Sequence, residues 1–240
     1  MSTIKANYLF IIPARRDSKG ILNKNTKLLN GKPLINYTLD YASKVSAGLD
    51  KVCITTDDNK VKELAKKYDF DVLKRPSELA TDSSSMNGVV KHVIEKYNKH
   101  DIIFKAIIIL QPTSPIRHID DFNKMESLYT PEIDMVVSVR KAKENPYYLL
   151  YEENNLGFIA KSKEYNINRR QDAPEVYCLN GSIFMINPKS FEASDIINFK
   201  KLVKFEMPYE RSIDIDDPTD WFITECFLQK KTPSNSYIND

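Results

Sequence analysis

The sequence has 240 residues, 42% of them hydrophobic, which is enough for one well-packed domain with at most a small insert. Its 35 basic and 33 acidic residues leave a formal net charge of +2, so the composition gives no reason to expect nucleic acid or an anionic membrane as a partner. The three cysteines are widely separated and include no C-x-x-C pair, which argues against a disulfide framework or a zinc site.

The first strongly apolar run covers residues 8–12 and ends at Pro13, just before Arg15 and Arg16. A signal peptide needs a longer apolar region, and a membrane-spanning helix needs about 20 apolar residues. The run therefore predicts a buried β-strand, and we expect a cytoplasmic protein.

Short apolar runs alternate with amphipathic stretches up to about residue 140. The runs predict strands at residues 8–12, 52–55, 106–110 and 135–139. Between them, a helical spacing of apolar side chains predicts helices at residues 33–45, 59–68 and 87–97. This alternation indicates an α/β fold with a mostly parallel central sheet flanked by helices.

The alternation stops after about residue 140. Residues 141–176 are polar and irregular, and such a long irregular segment is usually functional or an arm that docks on another surface. Strand patterns at 176–186 and 202–205 and a helical pattern at 218–229 follow. We therefore expect a single domain over residues 1–240, an inserted arm at about 141–176, and a frayed polar tail at 231–240.

A basic loop follows the first predicted strand, and its positive charges within 13 residues are Arg15, Arg16, Lys19, Lys24 and Lys27. In an open α/β sheet, ligands bind at the carboxyl ends of the strands. Backbone amides near Gly20 can approach a phosphate closely, so the loop indicates phosphate binding, although a solvated basic loop would also fit the charge. The loop matches neither of the glycine-rich phosphate motifs G-x-G-x-x-G and G-x-x-x-x-G-K-[ST].

Four aspartates cluster late in the chain, at Asp214, Asp216, Asp217 and Asp220. Asp214 and Asp216 alternate with isoleucines, so in an extended segment both carboxylates face one side. Such a pair suits Mg²⁺, which takes one or two carboxylates and fills its shell with phosphate oxygens and water. Asp217, directly before Pro218, is the expected N-cap of the last helix. Solvated or capping roles for all four aspartates are the alternative.

Two further segments give weaker signals. The loop after the strand at 106–110 is stiffened by Pro112 and Pro115 and can present Gln111 to a ligand, although a rigid turn explains it equally well. Arg169 and Arg170 lie in the irregular segment, where arginine could capture a carboxylate but is more often solvated. The three histidines are not clustered, so no histidine-based metal or nucleophile site is indicated.

Together these segments resemble the acylneuraminate cytidylyltransferases, also called CMP-sialic acid synthetases, over nearly the whole chain. The resemblance rests on six ordered blocks: Ile12-Pro13-Ala14-Arg15 with Ser18-Lys19-Gly20 and Lys24-Asn25; Gly31-Lys32-Pro33-Leu34; Arg75-Pro76 with Glu78-Leu79-Ala80; Leu110-Gln111-Pro112-Thr113-Ser114-Pro115 with Arg117; Asn180-Gly181; and Asp214-Ile215-Asp216. It implies a Rossmann-like nucleotidyltransferase fold of the glycosyltransferase-A-like type. It also implies a homodimer, in which the segment at 141–176 is a dimerisation arm that reaches into the partner's active site.

The resemblance implies roles for individual residues as well. CTP would be held by Arg15, Ser18, Lys19, Lys24, Asn25, Arg75, Ser84 and Ser85. The acid sugar would be met by Gln111, Arg170, Asn180 and Phe184, with Arg170 on its carboxylate. Mg²⁺ would be held by Asp214 and Asp216, and the catalytic set would be Arg15, Lys19, Lys24 and Asp216.

The implied reaction is attack by the anomeric hydroxyl of a nine-carbon α-keto acid sugar on the α-phosphorus of CTP, which releases pyrophosphate. Mg²⁺ is the implied cofactor, and we expect Asp216 or a metal-bound hydroxide to act as the base. Departures from the family pattern at Leu22, Phe184 and Met86 leave the sugar open between sialic and legionaminic acids. The alternatives are an enzyme for an eight-carbon keto acid, a sugar-1-phosphate nucleotidyltransferase, and a non-catalytic nucleotide-binding protein of the same fold.

Overall fold

The structure is a computed structural model that describes residues 4–81, 83–100, 102–166 and 169–229. The strands in these ranges are β1 (Ile4–Pro13), β2 (Leu28–Leu29), β3 (Lys32–Pro33), β4 (Lys51–Thr56), β5 (Asp71–Lys74), β6 (Ile102–Leu110), β7 (Met135–Lys141), β8 (Tyr151–Glu153), β9 (Ile159–Lys161), β10 (Tyr177–Ile186) and β11 (Leu202–Glu206). The α-helices are α1 (Leu34–Val45), α2 (Asn59–Ala65), α3 (Met86–Asn98), α4 (Ile119–Leu128), α5 (Pro188–Ala193) and α6 (Pro218–Gln229). None of these helices combines the length and the apolar content that crossing a lipid bilayer requires. The polar tail expected at 231–240 lies outside the described residues.

Seven of these strands form one sheet, in the order β11–β7–β10–β6–β1–β4–β5. Neighbouring strands pair in parallel except for β10, which runs antiparallel to both β6 and β7. Helices pack on both faces, so the predicted α/β fold with a mostly parallel central sheet is confirmed. Because β1, β4, β5 and β6 are parallel, their carboxyl ends meet at one edge, and the first half of β10 returns to that same edge.

The strongly apolar runs are buried on both faces of the sheet. In β1, Phe10 and Ile12 pack with side chains of α1 and α4, whereas Leu9 and Ile11 pack with side chains of α3. At roughly 25 cal/mol for each Å² of apolar surface removed from water, this burial is the dominant stabilising contribution to the fold. Two-sided burial also explains why these strands read as continuous apolar runs rather than as alternating patterns.

Several elements were not predicted from the sequence, among them β5 and α4. β5 has only four residues, in which half-buried and exposed side chains alternate, and no predicted strand covers it. α4 was equally absent from the predicted elements, because its apolar contribution to the core is limited to Phe122 and Met125. Its amino end is closed by the His118 amide, which donates to Asp121 Oδ2 at 2.8 Å. In addition, the helix predicted at 59–68 ends at Ala65.

Between β7 and β10 the chain leaves the sheet as an excursion over residues 142–176. Its base is closed by the Ala142 amide, which donates to the Val176 carbonyl at 2.8 Å. It carries the β8–β9 hairpin, which pairs with no further strand in the described part of the chain. In and beside this hairpin, Leu156, Phe158 and Ile159 are 80%, 68% and 70% exposed. The excursion coincides with the segment expected to form an arm.

Candidate functional site

A cleft of about 540 Å³ opens at the edge where the parallel strands end, and its size is typical of a small-molecule site. The loop after β1 contributes the side chains of Arg15, Ser18, Lys19, Lys24 and Asn25 to its lining. The segment after β11 contributes Asp214 and Asp216. The basic loop and the carboxylate pair, which are far apart in the sequence, therefore line one cavity.

The basic loop packs directly on the carboxylate segment. The Lys24 ammonium is buried and donates to the Ile215 carbonyl at 2.6 Å. The same ammonium lies 3.3 Å from Asp216 Oδ1. Gly20 lies against this segment as well, because a Cβ atom there would be 1.9 Å from the Asp216 carbonyl oxygen. The loop and the segment are therefore in direct contact at both Gly20 and Lys24.

The two cleft carboxylates have different environments. The Oδ1 atom of Asp214 is buried and has no hydrogen-bond partner among the described residues. Burial raises the pKa of the Asp214 carboxyl above its ordinary value, and the Thr113 side chain opposes that shift. The Asp216 side chain is exposed in the cleft. An unpaired buried carboxylate oxygen beside a second carboxylate is a donor set that fits a hard divalent cation.

A cation held here would have few protein ligands. No group of three or more His, Cys, Asp or Glu side chains suited to a metal occurs in the ranges that the structure describes. Two carboxylates with the remaining positions filled by phosphate and water is a coordination that Mg²⁺ accepts.

The neighbouring aspartates serve the helix instead. Asp217 Oδ1 accepts hydrogen bonds from the amides of Thr219 and Asp220 at 2.7 and 2.9 Å, which confirms its predicted role as N-cap of α6. The Asp220 carboxylate in turn accepts from the Asp216 amide at 3.0 Å. These contacts leave the carboxylates of Asp214 and Asp216 to face the cleft.

Arg75, directly after β5, adds a second buried cation to the lining. Its Nη2 atom donates to the Thr55 carbonyl at 2.9 Å. Burial lowers the pKa of Arg75 to about 10, with Asp57 opposing the shift and Arg15 adding to it. The Asn25 side-chain amide donates to the Arg15 carbonyl at 2.8 Å and so fixes the course of the loop. The cleft therefore places two guanidinium groups near each other, which favours a polyanionic ligand.

The two adjacent serines implied for the nucleotide take different places. Ser84 lines the cleft, and its hydroxyl donates to the Glu78 carbonyl at 3.0 Å. The Ser85 hydroxyl accepts from the Gly88 amide at 3.2 Å and caps α3, and Ser85 is not among the residues that line the cleft. The apolar lining beside Ser84 comes from Leu79, Met86 and Val89.

The residues implied for the sugar do not gather in one place. Gln111 lines the cleft. Asn180 is buried away from that lining: its Oδ1 accepts from Ser138 Oγ at 2.6 Å, and its Nδ2 donates to Ser212 Oγ at 3.0 Å. Both ends of the Asn180 amide are used in hydrogen bonds within the protein, so in this structure Asn180 supports the residues around the cleft and does not line it. Phe184 packs into the core on the α3 side of the sheet and also does not reach the lining.

Arg170 lies in the excursion at 142–176, outside the cleft of its own chain. Its guanidinium carbon is 5.0 Å from the centroid of the Tyr148 ring. A single chain therefore does not bring this arginine to the cleft.

Arg117 and Gly181 belong to the sequence motifs but were given no role in the sequence analysis, and both contact residues that line the cleft. Arg117 Nη2 donates to the carbonyls of Gln111 and Ser182 at 2.6 and 2.8 Å. Burial lowers the pKa of Arg117 to about 10. Gly181 has a φ of 68° and lies against the Asp214 side chain. An Asn-Gly pair signals a turn in a sequence, but the pattern does not reveal what the turn faces.

The chain is similar to known proteins in both sequence and fold. The family model described as cytidylyltransferase matches residues 9–211. A CMP-N,N'-diacetyllegionaminic acid synthase of Campylobacter jejuni is 31% identical over 232 residues, which cover 95% of this chain and 98% of the relative. An N-acylneuraminate cytidylyltransferase of Escherichia coli is 32% identical over 232 residues, but the chain spans about half, 54%, of that relative's length.

Among solved structures, a CMP:2-keto-3-deoxy-manno-octonic acid synthetase complexed with CTP matches with a TM-score of 0.67. The match covers 95% of this chain and 100% of the other at 16% identity, so it establishes the likeness of fold alone.

Proposed function

Because this chain belongs to the cytidylyltransferase family, we propose that it transfers CMP from CTP to the anomeric hydroxyl of a nine-carbon α-keto acid sugar of the sialic acid type. The observation that carries the proposal is the contact between the basic loop and the carboxylate segment in one cleft, where Lys24 Nζ lies 3.3 Å from Asp216 Oδ1. A triphosphate seated there would meet cations on one side and a metal-binding pair on the other. Residues 1–240 would form a single nucleotidyltransferase domain, with the arm at about 141–176 inserted in it.

In the proposed reaction the sugar oxygen attacks the α-phosphorus of CTP. The bond from the α-phosphorus to the bridging oxygen breaks, and the electron pair leaves with pyrophosphate. Arg15, Lys19 and Lys24 neutralise the triphosphate and stabilise the leaving group, which is electrostatic stabilisation by preorganised charges. Asp216 accepts the proton of the anomeric hydroxyl. Positioning by the cleft supplies much of the remaining rate enhancement.

Mg²⁺ is the proposed cofactor. Asp214 fits it because its Oδ1 atom is buried without a hydrogen-bond partner among the described residues, and Asp216 would supply the second carboxylate. When bound, the ion would neutralise charge on the triphosphate. Chelation of divalent cations should therefore abolish turnover.

The proposed active unit is a homodimer with shared sites. An isolated two-stranded hairpin is marginally stable in water, yet the β8–β9 hairpin exposes Leu156, Phe158 and Ile159. Burial of these side chains against a second copy would stabilise it, and Arg170 of the partner subunit would then complete the cleft at the sugar carboxylate.

Mixing two inactive variants tests the shared site. Arg170→Ala and Asp214→Asn should each be nearly inactive alone. After subunit exchange, half of the dimers are mixed and each holds one complete site, so roughly a quarter of wild-type turnover should return. No recovery in a mixture that native mass spectrometry shows to contain mixed dimers would mean that each chain builds its own site.

Pyrophosphate release from CTP and Mg²⁺ tests the activity itself, with N-acetylneuraminic acid and N,N'-diacetyllegionaminic acid offered side by side. The legionaminic substrate is a second candidate because the C. jejuni relative carries that name and is matched over 98% of its length. Release is expected from CTP, and Asp214→Asn should suppress it. If neither acid gives pyrophosphate release, or if UTP or GTP is preferred over CTP, the proposal is contradicted.

A further inference from the structure

A bulge in β10 lies against two of the residues that line the cleft. The pairing of β10 with β7 shifts register between Leu179 and Phe184. Inside this interval Gly181 adopts a φ of 68°, a left-handed conformation that glycine accommodates without steric cost. The Asn180 side chain closes the turn, because its Oδ1 accepts from the Ser182 amide at 3.1 Å. The chain is therefore bent at Gly181 by its own neighbours.

Gly181 leaves room for two cleft residues that approach it closely. A Cβ atom at this position would lie 2.7 Å from Asp214 Oδ2 and 3.0 Å from Gln111 Oε1. Asp214 belongs to the proposed metal pair, and Gln111 is the cleft-lining member of the proposed sugar set. Because Gly181 has no side chain, the proposed metal ligand Asp214 and the proposed sugar ligand Gln111 can both lie close to its Cα atom.

The bulge itself has little freedom to move away. Arg117 Nη2 donates to the carbonyls of both Ser182 and Gln111, at 2.8 and 2.6 Å. The Asn180 Nδ2 atom donates to Ser212 Oγ at 3.0 Å, which ties the bulge to the start of the carboxylate segment. A methyl group on Gly181 would therefore displace the two side chains that it meets, rather than the backbone that carries it.

We propose that Gly181 is a positioning residue that sets the distance between the Asp214 carboxylate and the Gln111 amide. This inference rests on the proposed function. Any side chain at this position pushes the carboxylate outward by roughly 0.5–1 Å, because 2.7 Å is far below an ordinary contact distance. A misplacement of about 1 Å can cost about 10²-fold in rate. Both divalent-metal binding and sugar binding should weaken together.

The test compares Gly181→Ala with Gly48→Ala. Gly48 has a φ of 57° and a Cβ there would meet nothing within 4 Å, so the control shares the backbone strain without the collision. Each variant should lose about 3–6 °C in Tm from the left-handed alanine.

The first readout needs no turnover: it is the Mg²⁺ concentration that gives half of the thermal stabilisation at a fixed, saturating CTP concentration. We expect it to rise at least about tenfold in Gly181→Ala and less than twofold in Gly48→Ala. The second readout is kinetic. In Gly181→Ala, KM for the acid sugar should rise and kcat/KM should fall by about 10²-fold, whereas Gly48→Ala should keep both values near those of the wild type.

An unchanged Mg²⁺ midpoint and sugar KM in folded Gly181→Ala would overturn the inference while leaving the proposed function intact. Should Gly181→Ala lack a cooperative unfolding transition, Arg117→Lys decides, because it keeps the charge but loses the fork that fixes the bulge. It should shift both readouts in the same direction, and unchanged values refute the inference. A wild type without Mg²⁺-dependent stabilisation or turnover would contradict the proposed function and the inference with it.

Discussion

Replacing Lys24 by methionine removes the link between the basic loop and the carboxylate segment. The buried ammonium donates to the Ile215 carbonyl at 2.6 Å, so its loss leaves a carbonyl unpaired and should cost about 1.5–3 kcal/mol. The ion pair with Asp216 adds at most about 0.5 kcal/mol, because the Asp216 side chain is 79% exposed. The free energy of unfolding should fall by about 2–3 kcal/mol, which lowers Tm by about 5–10 °C.

Lys27→Met is the matched control in the same loop. Its ammonium lies 4.7 Å from the centroid of the Trp221 ring, and a cation–π contact at an exposed site contributes about 0.5–1 kcal/mol. Thermal unfolding without nucleotide measures the loss of stability in each variant. Pyrophosphate release measures the additional loss of activity that comes from the missing contact with the triphosphate. Lys24→Met should lose about 10²-fold in kcat/KM as well, and Lys27→Met little.

If Lys24→Met loses no more stability than Lys27→Met, the ammonium does not join the two segments, and the reasoning from their contact is wrong. If it loses stability but keeps its kcat/KM, Lys24 is structural only and leaves the catalytic set.

Three other substitutions probe the same account. Lys19→Ala should reduce turnover by about 10²-fold, and near-normal turnover would remove Lys19 from the catalytic set. Gly20→Ala places a methyl group 1.9 Å from the Asp216 carbonyl oxygen, so it should destabilise the protein by about 1–3 kcal/mol in urea unfolding and weaken CTP binding in calorimetry. Burial of Asp71 opposes its ionisation, but the Lys96 ammonium prevails and lowers the pKa of Asp71. The stability that Asp71 confers should therefore be full above the unfolded pKa of about 3.9 and vanish as pH falls through the lower folded value. Asp71→Asn should accordingly be less stable than the wild type at pH 7, and a difference that grows on acidification would contradict the assignment.

The sheet and the cleft could be predicted because their main parts follow general rules. Two-sided burial makes β1 and β6 read as continuous apolar runs. Ligand sites lie at the carboxyl ends of parallel strands, and Arg15 and Gln111, which follow these two strands, both line the cleft. The alternation around Asp214 likewise placed its carboxylate and that of Asp216 on one side.

The direction of individual side chains could not be predicted in the same way. Ser84 and Ser85 are chemically equivalent in the sequence, but the free amides at the start of α3 engage Ser85 and leave Ser84 to the cleft. Asn180 and Phe184 flank the bulge of β10, where the register shift decides which side chains turn inward. That shift depends on contacts with Arg117 and Ser212, which are distant in the chain.

Two of the elements that were not predicted were missed for a related reason. In β5, four residues carry too little alternation to stand out from a loop. In α4, Asp121 is both the capping acid and the buried partner of Arg211, so its role depends on a contact that no local pattern contains.

A crystal structure with CTP and Mn²⁺, analysed for anomalous scattering, tests the central claim that the basic loop and the carboxylate pair hold one metal–triphosphate unit. We predict a single anomalous peak about 2.1 Å from Asp214 Oδ1 and from a triphosphate oxygen, with Lys24 and Arg15 on the same triphosphate. A triphosphate bound away from the basic loop, or a cation that touches neither Asp214 nor Asp216, would contradict the account.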